Sequence, residues 1–416
     1  MSKSIAALLC LITSVVGSGW RSEAQPERLP TIAVDAGGAD RRESVAHFTL
    51  PAGISGVDLQ LRDAANDLTP LQVDEDGEGW FVVRHLMAGT TRRYRLEPTS
   101  ASGLRAPTIE VDGGAEALQF WLDGRPVMRY VGGNRELPRP DIEPILLRGG
   151  YIHPIWTPSG RIITDDYPPN HLHHHGIWTA WTKTAYEGRS PDFWNMGDRK
   201  GTVEFHTLDR RWSGNIVAGL RAEHRYVDLT TPERKIVLAE RWTLRLYNAQ
   251  HPDSSQGRGA EGSFFVFDLD IQQDLQGSAP LVLPEYHYGG VGFRGHRSWD
   301  GRANTFFLTS EAKTRSNGHG TRARWCHIGG RSDGKLTGIA ILGHPSNVRA
   351  PQPMRIHPTE PFFNFAPQQL GDMQIDPGTP YSARYRFVVM DGPPDPALIE
   401  RLWKDYAEPV GIRLEQ

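Results

Sequence analysis

The strongest constraint on this chain is the recurrence of short runs in which apolar and polar residues alternate, with almost no stretch of helical period. "KIVLAERWTLRLY", "FFVFDLDIQQDL", "GTVEFHTL", "GLRAEHRYVDL", "NTFFLTS", "GIAILGH" and "YSARYRFVVM" all alternate or are short and apolar, and Gly, Pro, Asp or Asn punctuates them. In "ALQFWLDGRPVMRY" the dipeptide Asp123-Gly124 separates two strand-like halves, as a tight hairpin requires. Only "PALIERLWKDYAEP", after a proline-rich turn, predicts a helix near the C-terminus. About a dozen strands then predict an all-β chain built around one large antiparallel β super-sandwich over 108–416. Earlier, "SVAHFTLP", "VDLQLRD", "WFVVRHL" and "RRYRLEP" predict a small, immunoglobulin-like accessory β-sandwich over 28–107. Residues 250–262, "QHPDSSQGRGAEG", read as a solvated loop.

The first 24 residues pair Lys3 with an apolar run from Ile5 to Gly17 and small residues at Ser22 and Ala24. That is the shape of a cleaved signal peptide, and the run is short for a membrane span, so the expectation is a secreted or periplasmic protein with no membrane insertion. Without that segment Cys326 is the only thiol, so no intrachain disulfide can form and the fold rests on its core. A formal net charge of -3 from 46 basic and 49 acidic side chains, with no long run of either sign, argues against nucleic acid as a partner. Twelve Trp and twelve Tyr in a turn-rich β chain are the aromatic supply with which proteins bind sugar rings.

Chemistry concentrates in two segments. The first, Gly149 to Asp198, contains "TDDYPPNHLHHHGIWTAW", with His171, His173, His174 and His175 within five positions. If that stretch is extended, His171, His173 and His175 share one face and Leu172 and His174 the other. Three imidazoles on one face suggest zinc or copper, yet the strand would spread them over roughly 13 Å, so at most two could reach one ion without a bend. A divalent metal at the His171–His175 cluster stays open, with no cofactor as the expectation. The other readings are proton transfer to a sugar, with Asp165, Asp166, Glu187 or Asp192 working beside the histidines, and a purely structural polar layer. His153, Asp166, His171, Trp178 and Trp194 are candidate substrate contacts. Trp156 and Trp181 are further stacking candidates.

The second segment is "LPEYHYGGVGFRGHRSWDG", Leu283 to Gly301. Here Glu285 and His287 would share a strand face as acid and base, Tyr288 and Arg294 would contact substrate, and Gly289-Gly290 would let backbone approach a ligand. Asp268 and Asp270 share a strand face, where a cation or an arginine would suit them.

These stretches resemble a bacterial family of unknown function labelled "methane oxygenase PmoA-like", common in exported proteins of carbohydrate-degrading bacteria. The resemblance rests on "RPVMRY", "YIHPIWTPSGRIITDDYPPNHLHHHGIW", "DFWNMGDRKGTVEF" and "EYHYGGVGFRG". The family's histidine stretch reads Asp-His-Pro-His-His-Arg-Gly; His171, His173, His174 and Gly176 match, while Asn170, Leu172 and His175 depart, so no acid or arginine role carries over to Asn170 and His175. A membrane monooxygenase subunit would need several spans, and after residue 24 no apolar run has that length. More distantly, the chain is similar to galactose mutarotase-like super-sandwich proteins, which implies a sugar held on one concave face by His and Glu as acid and base. The expectation is a carbohydrate-active enzyme, a glycoside hydrolase or lyase, with His173, His174, Glu285 and His287 catalytic. The alternatives are a non-catalytic carbohydrate-binding protein and a metal-dependent enzyme.

Overall fold

The computed structural model describes residues 29–51, 58–99, 109–133, 136–249 and 263–415. The expected signal at 1–24, the loop at 250–262 and the link at 100–107 lie outside the described residues.

The alternating runs fold as strands, and two antiparallel eight-stranded sheets form the large sandwich. The first runs Met354–Ile356, Phe362–Phe365, Gly290–Arg294, Ile177–Ala180, Tyr151–Ile155, Arg125–Val131, Ala117–Leu122 and Ile109–Gly113. The second runs Gly201–Trp212, Val217–Asp228, Lys235–Tyr247, Phe264–Leu275, Tyr381–Asp391, Lys335–Gly343, Trp325–Ser332 and Thr305–Thr309. Their facing sides interdigitate through Ile152, Ile177, Phe293 and Phe363 from one and Leu220, Leu244, Phe267 and Phe387 from the other. Leu122 pairs with Arg125 across Asp123 (φ 51°) and Gly124 (φ 70°), the two positive values of a type I′ hairpin turn.

Side chains alternate across each strand, so the residues between the inner positions of the first sheet define its outer face. Tyr151, Trp178, Arg294, Phe362 and Arg355 fall there, each next to a residue of the inner core. The loops that follow Tyr151–Ile155 and Ile177–Ala180 and precede Gly290–Arg294 carry the histidines and most candidate residues.

The small sandwich pairs a five-stranded sheet with a three-stranded one around Ile32, Val34, Leu61, Phe81 and Tyr94. One strand of that five-stranded sheet comes from the far end of the chain: Gly411–Glu415 pairs antiparallel with Thr31–Asp35. The helix, Pro396–Ala407, begins as expected after Asp395, whose carboxylate accepts from the Ala397 and Leu398 amides. Among the described residues no helix is long and apolar enough to cross a membrane.

Candidate functional site

Residues 171–175 form a turn, not a strand. The His171 amide donates to the Pro168 carbonyl and the His174 amide to the His171 carbonyl, so the chain folds back on itself. The cause is local: Pro168 and Pro169 cannot donate to a sheet, and the pair with Asn170 makes a turn. The two-face division of the histidines therefore does not hold. The turn stacks His171 on His174 with ring centroids 4.6 Å apart and 9° between planes, and sets His173 edge-on to His174 at 4.7 Å. Among the described residues no three His, Cys, Asp or Glu side chains are grouped to hold one metal ion.

Below the turn, His175 is fully buried and stacks on Tyr151 at 4.4 Å. Its Nδ1 lies 2.6 Å from Asp166 Oδ1, while the Tyr151 hydroxyl donates to Asp166 Oδ2 at 3.1 Å. Burial pushes the Asp166 carboxyl up to about 6 against a downward pull from His153 and the Tyr151 hydrogen bond. The Asp166 side chain keeps 13% of its surface exposed. Burial also lowers the histidines: His173 to about 4, His174 and His175 well below the usual value, and His153 and His171 in the same direction. At neutral pH these rings are uncharged, each with one nitrogen able to donate and one able to accept. His153 uses Nδ1 on Thr164 Oγ1, at 2.9 Å. The turn also walls a recess of about 400 Å³ with Leu146, Asn195 and Asp198.

Arg294 is placed beneath this cluster and buried, not free to meet a ligand. Its Nη2 donates to Asp300 at 2.6 Å and lies 3.1 Å from Glu360, which also accepts from Asn170 at 3.0 Å. Asp165 is paired with Arg297 at 3.1 Å. Trp178 has no exposed surface and lies against His174, Trp194 and Phe362; Trp194 is 3% exposed. Neither offers an open face to a sugar ring, because the histidine turn and Phe362 cover them, and Trp181 is buried in the sandwich core. Glu187 is drawn to Lys235 and Arg189, and Asp192 accepts from the Trp194 and Asn195 amides, so both hold loops in place. Asp268 and Asp270 bind arginines: Arg386 grips Asp268, and Arg245 and Arg384 reach Asp270.

The second segment is irregular where a strand was expected. Leu281–Leu283 ends before Pro284, and the next strand begins only at Gly290, so Glu285 and His287 share no strand face. Glu285 is exposed, and its amide donates to Asp372. His287 lies between Tyr286 and Tyr288 at 4.4 and 4.5 Å. Tyr288 touches Phe362 at 5.7 Å, and Phe362 stacks on His174 at 4.8 Å, so an aromatic row joins the segment to the histidine turn. The diglycine serves packing: a methyl on Gly289 would strike the Gln368 side chain at 2.0 Å, and one on Gly290 the Phe365 carbonyl at 2.7 Å.

Two features escaped the sequence reading. One is the pairing of His175, already named among the histidines, with Asp166 below the turn. The other is a polar network inside the sandwich: Glu240, fully buried, accepts from Thr179 at 2.7 Å, Gln273 at 2.7 Å and Tyr226 at 3.0 Å, and meets His224 at 3.1 Å. Both Glu240 and His224 occupy the apolar phase of their strands, a signal that was present in the alternation.

A family model described as "Family of unknown function (DUF6807)" matches residues 117–404. No curated protein sequence matches the chain. Solved structures similar to it include an alpha-mannosidase from Enterococcus faecalis V583, at 8% identity and TM-score 0.42 over 94% of this chain and 46% of that one. A protein of glycosyl hydrolase family 38 from Enterococcus faecalis gives 8% and 0.42 over 94% and 48%. The chain spans less than half the length of either, and likeness at this level does not bear on what it does. The methane-oxygenase label finds no support among these comparisons.

Proposed function

The chain belongs to a family of unknown function, DUF6807, and from the site itself we propose an exported carbohydrate-active enzyme that moves a proton on a glycoside or oligosaccharide, with Asp166 as the general base. The observation that carries the reading is a partly exposed carboxyl group, Asp166, held between His175 Nδ1 and the Tyr151 hydroxyl and raised by burial to about 6. A base is most useful when its pKa lies near the working pH, because it is then ionised and still avid for a proton. His175 orients Asp166 from below, and His173 and His171, neutral and half-buried, supply hydrogen bonds to hydroxyl groups. Tyr286, Tyr288 and Trp156 keep partial exposure and replace Trp178 and Trp194 as stacking faces.

Glu285 and His287 lie at the other end of the aromatic row, which favours binding over direct proton transfer for that pair. Export rests on the Lys3 to Gln25 pattern and sets the expected location as secreted or periplasmic.

Wild-type protein and Asp166→Asn should be assayed on a panel of glycosides, uronides and oxidised sugars, with reducing ends and unsaturated products followed separately. Turnover by wild type that falls about 10²- to 10⁴-fold in Asp166→Asn supports the reading. Sugar binding with no turnover on any substrate would instead make this a non-catalytic binding protein. Stoichiometric zinc or copper in protein purified without a His tag, with activity lost to chelator, would replace it with a metal-dependent mechanism.

A further inference from the structure

We propose that the face around His287 is an anion subsite, built by Arg355 and Lys183 to hold a carboxylate or sulfate carried by the saccharide. Several arginines near the outer faces of the two large sheets are neutralised by a carboxylate: Arg294 by Asp300, Arg297 by Asp165, Arg386 by Asp268. Arg355 and Lys183 are exceptions, and among the described residues neither is ion-paired with an acid. Arg355 donates to the Tyr288 hydroxyl at 2.8 Å and lies 4.9 Å from the centre of that ring, while Lys183 sits 4.4 Å above the Tyr286 ring. The Arg355 Nε is buried without a hydrogen-bond partner.

His287 stands between the two tyrosines, and His319 lies 6.4 Å from it. Burial lowers the His287 pKa, and its neighbours Arg355, His319 and Lys183 all push the same way, with no carboxylate opposing them. Two permanent cations and two neutral imidazole donors therefore converge where, among the described residues, no acid is ion-paired with either cation. On a protein whose overall charge is slightly negative, that local excess is selective for an anion. A guanidinium takes a carboxylate or sulfate through two parallel hydrogen bonds, while the tyrosine rings take the sugar body. Tyr288 reaches the histidine turn through Phe362, so one oligosaccharide can occupy both ends of the row. The inference rests on the outer face being a saccharide site, and it names the class of saccharide.

The test is calorimetric binding of the full chain to three oligomers of equal length: an oligogalacturonate, a sulfated galactan and a neutral galactan. Tighter binding of either charged oligomer than of the neutral one, weakened by salt, supports the subsite, and which of the two wins identifies the group. Arg355→Ala and Lys183→Ala should each weaken that binding about tenfold, with little change for the neutral oligomer. Lys183 is exposed, so its variant remains informative if Arg355→Ala fails to fold. Equal affinity for all three oligomers, no binding of any, or charged-oligomer binding unchanged in Lys183→Ala would overturn the proposal. Turnover is read separately: Asp166→Asn that still binds the charged oligomer but does not convert it separates failure of the proton-transfer reading from failure of this one.

Discussion

His175 Nδ1 and Asp166 Oδ1 are 2.6 Å apart, and their hydrogen bond survives a change in the charge of the pair. When Asp166 is ionised the Nδ1–H tautomer of neutral His175 donates to it; when Asp166 is protonated the carboxylic acid donates to the tautomer whose hydrogen is on Nε2. A carboxyl group can therefore gain and lose a proton here while its position stays fixed, as a general base needs.

The pH dependence follows. With Asp166 at about 6, kcat/KM should fall as pH drops through that value and level off above it. Stability should run the other way. The folded pKa is raised above the ordinary aspartate value of 3.8, so the contribution is full below that value and is lost as pH rises through about 6. A shift of that size corresponds to about 3 kcal/mol. Asp166→Asn should flatten the decline between those limits in denaturant titrations, while activity falls. A variant that retains the wild-type pH–stability curve would remove Asp166 from the role.

The Glu240 network predicts a stability defect remote from the outer face. Burial works against the Glu240 charge, but hydrogen bonds from His224, Thr179 and Gln273 outweigh it and leave the pKa lowered. Its contribution is present above the ordinary glutamate range and is lost as pH falls through the folded value. Glu240→Leu strands His224, Thr179 and Gln273 without an acceptor and should cost about 3–5 kcal/mol at pH 7, read from the urea midpoint. The gap from wild type should shrink on acidification. An equal gap at every pH would mean that the carboxylate charge is not what the network uses.

Much of this architecture was legible as sequence because the side-chain period of a strand is fixed at two. Lys235–Tyr247 and Phe264–Leu275 coincide with alternating runs, and Asp123-Gly124 turns where that dipeptide must. The same period exposes Glu240, which takes an inner position between Leu238 and Trp242. The histidine stretch was not legible as a strand because Pro168 and Pro169 set its conformation before the histidines begin, and Pro284 does the same ahead of Glu285. Spacing named the histidines, but only the fold could choose Asp166 and His175 as the pair: that choice depends on burial, which two adjacent aspartates do not reveal. The strand Gly411–Glu415 is five residues with no long alternation, and its partner lies almost 400 positions away, beyond any local signal.

Gly176 ties the turn to the sheet. A methyl group there would stand 2.2 Å from the Ile152 carbonyl oxygen, a backbone atom of the neighbouring strand that cannot rotate away. Gly176→Ala should therefore separate the strand start at Ile177 from Tyr151–Ile155 and tilt His175 off Asp166. The expected cost is about 1–3 kcal/mol, with a loss of activity at permissive temperature larger than the loss of folded protein. Activity that tracks the folded fraction alone would show that the turn tolerates the shift.

Asp405 on the helix joins the two sandwiches. It accepts from Arg41 Nη1 at 3.0 Å and from Ser44 Oγ at 2.8 Å, both on or at the start of Arg41–Thr49, and Arg41 is 2% exposed. Asp405→Ala leaves a buried guanidinium whose remaining partner is the Ala36 carbonyl, which should cost about 3–5 kcal/mol. Asp405→Asn keeps the shape and one acceptor and should cost less. Because Gly411–Glu415 follows the helix and completes the small sandwich, the damage should spread to that sheet. Amide exchange is therefore expected to rise in Arg41–Thr49, Thr31–Asp35 and Gly411–Glu415 while the strands around Glu240 stay protected. Uniform loss of protection in Asp405→Ala would mean that the small and large sandwiches unfold as one unit and that this contact does not hold them together separately.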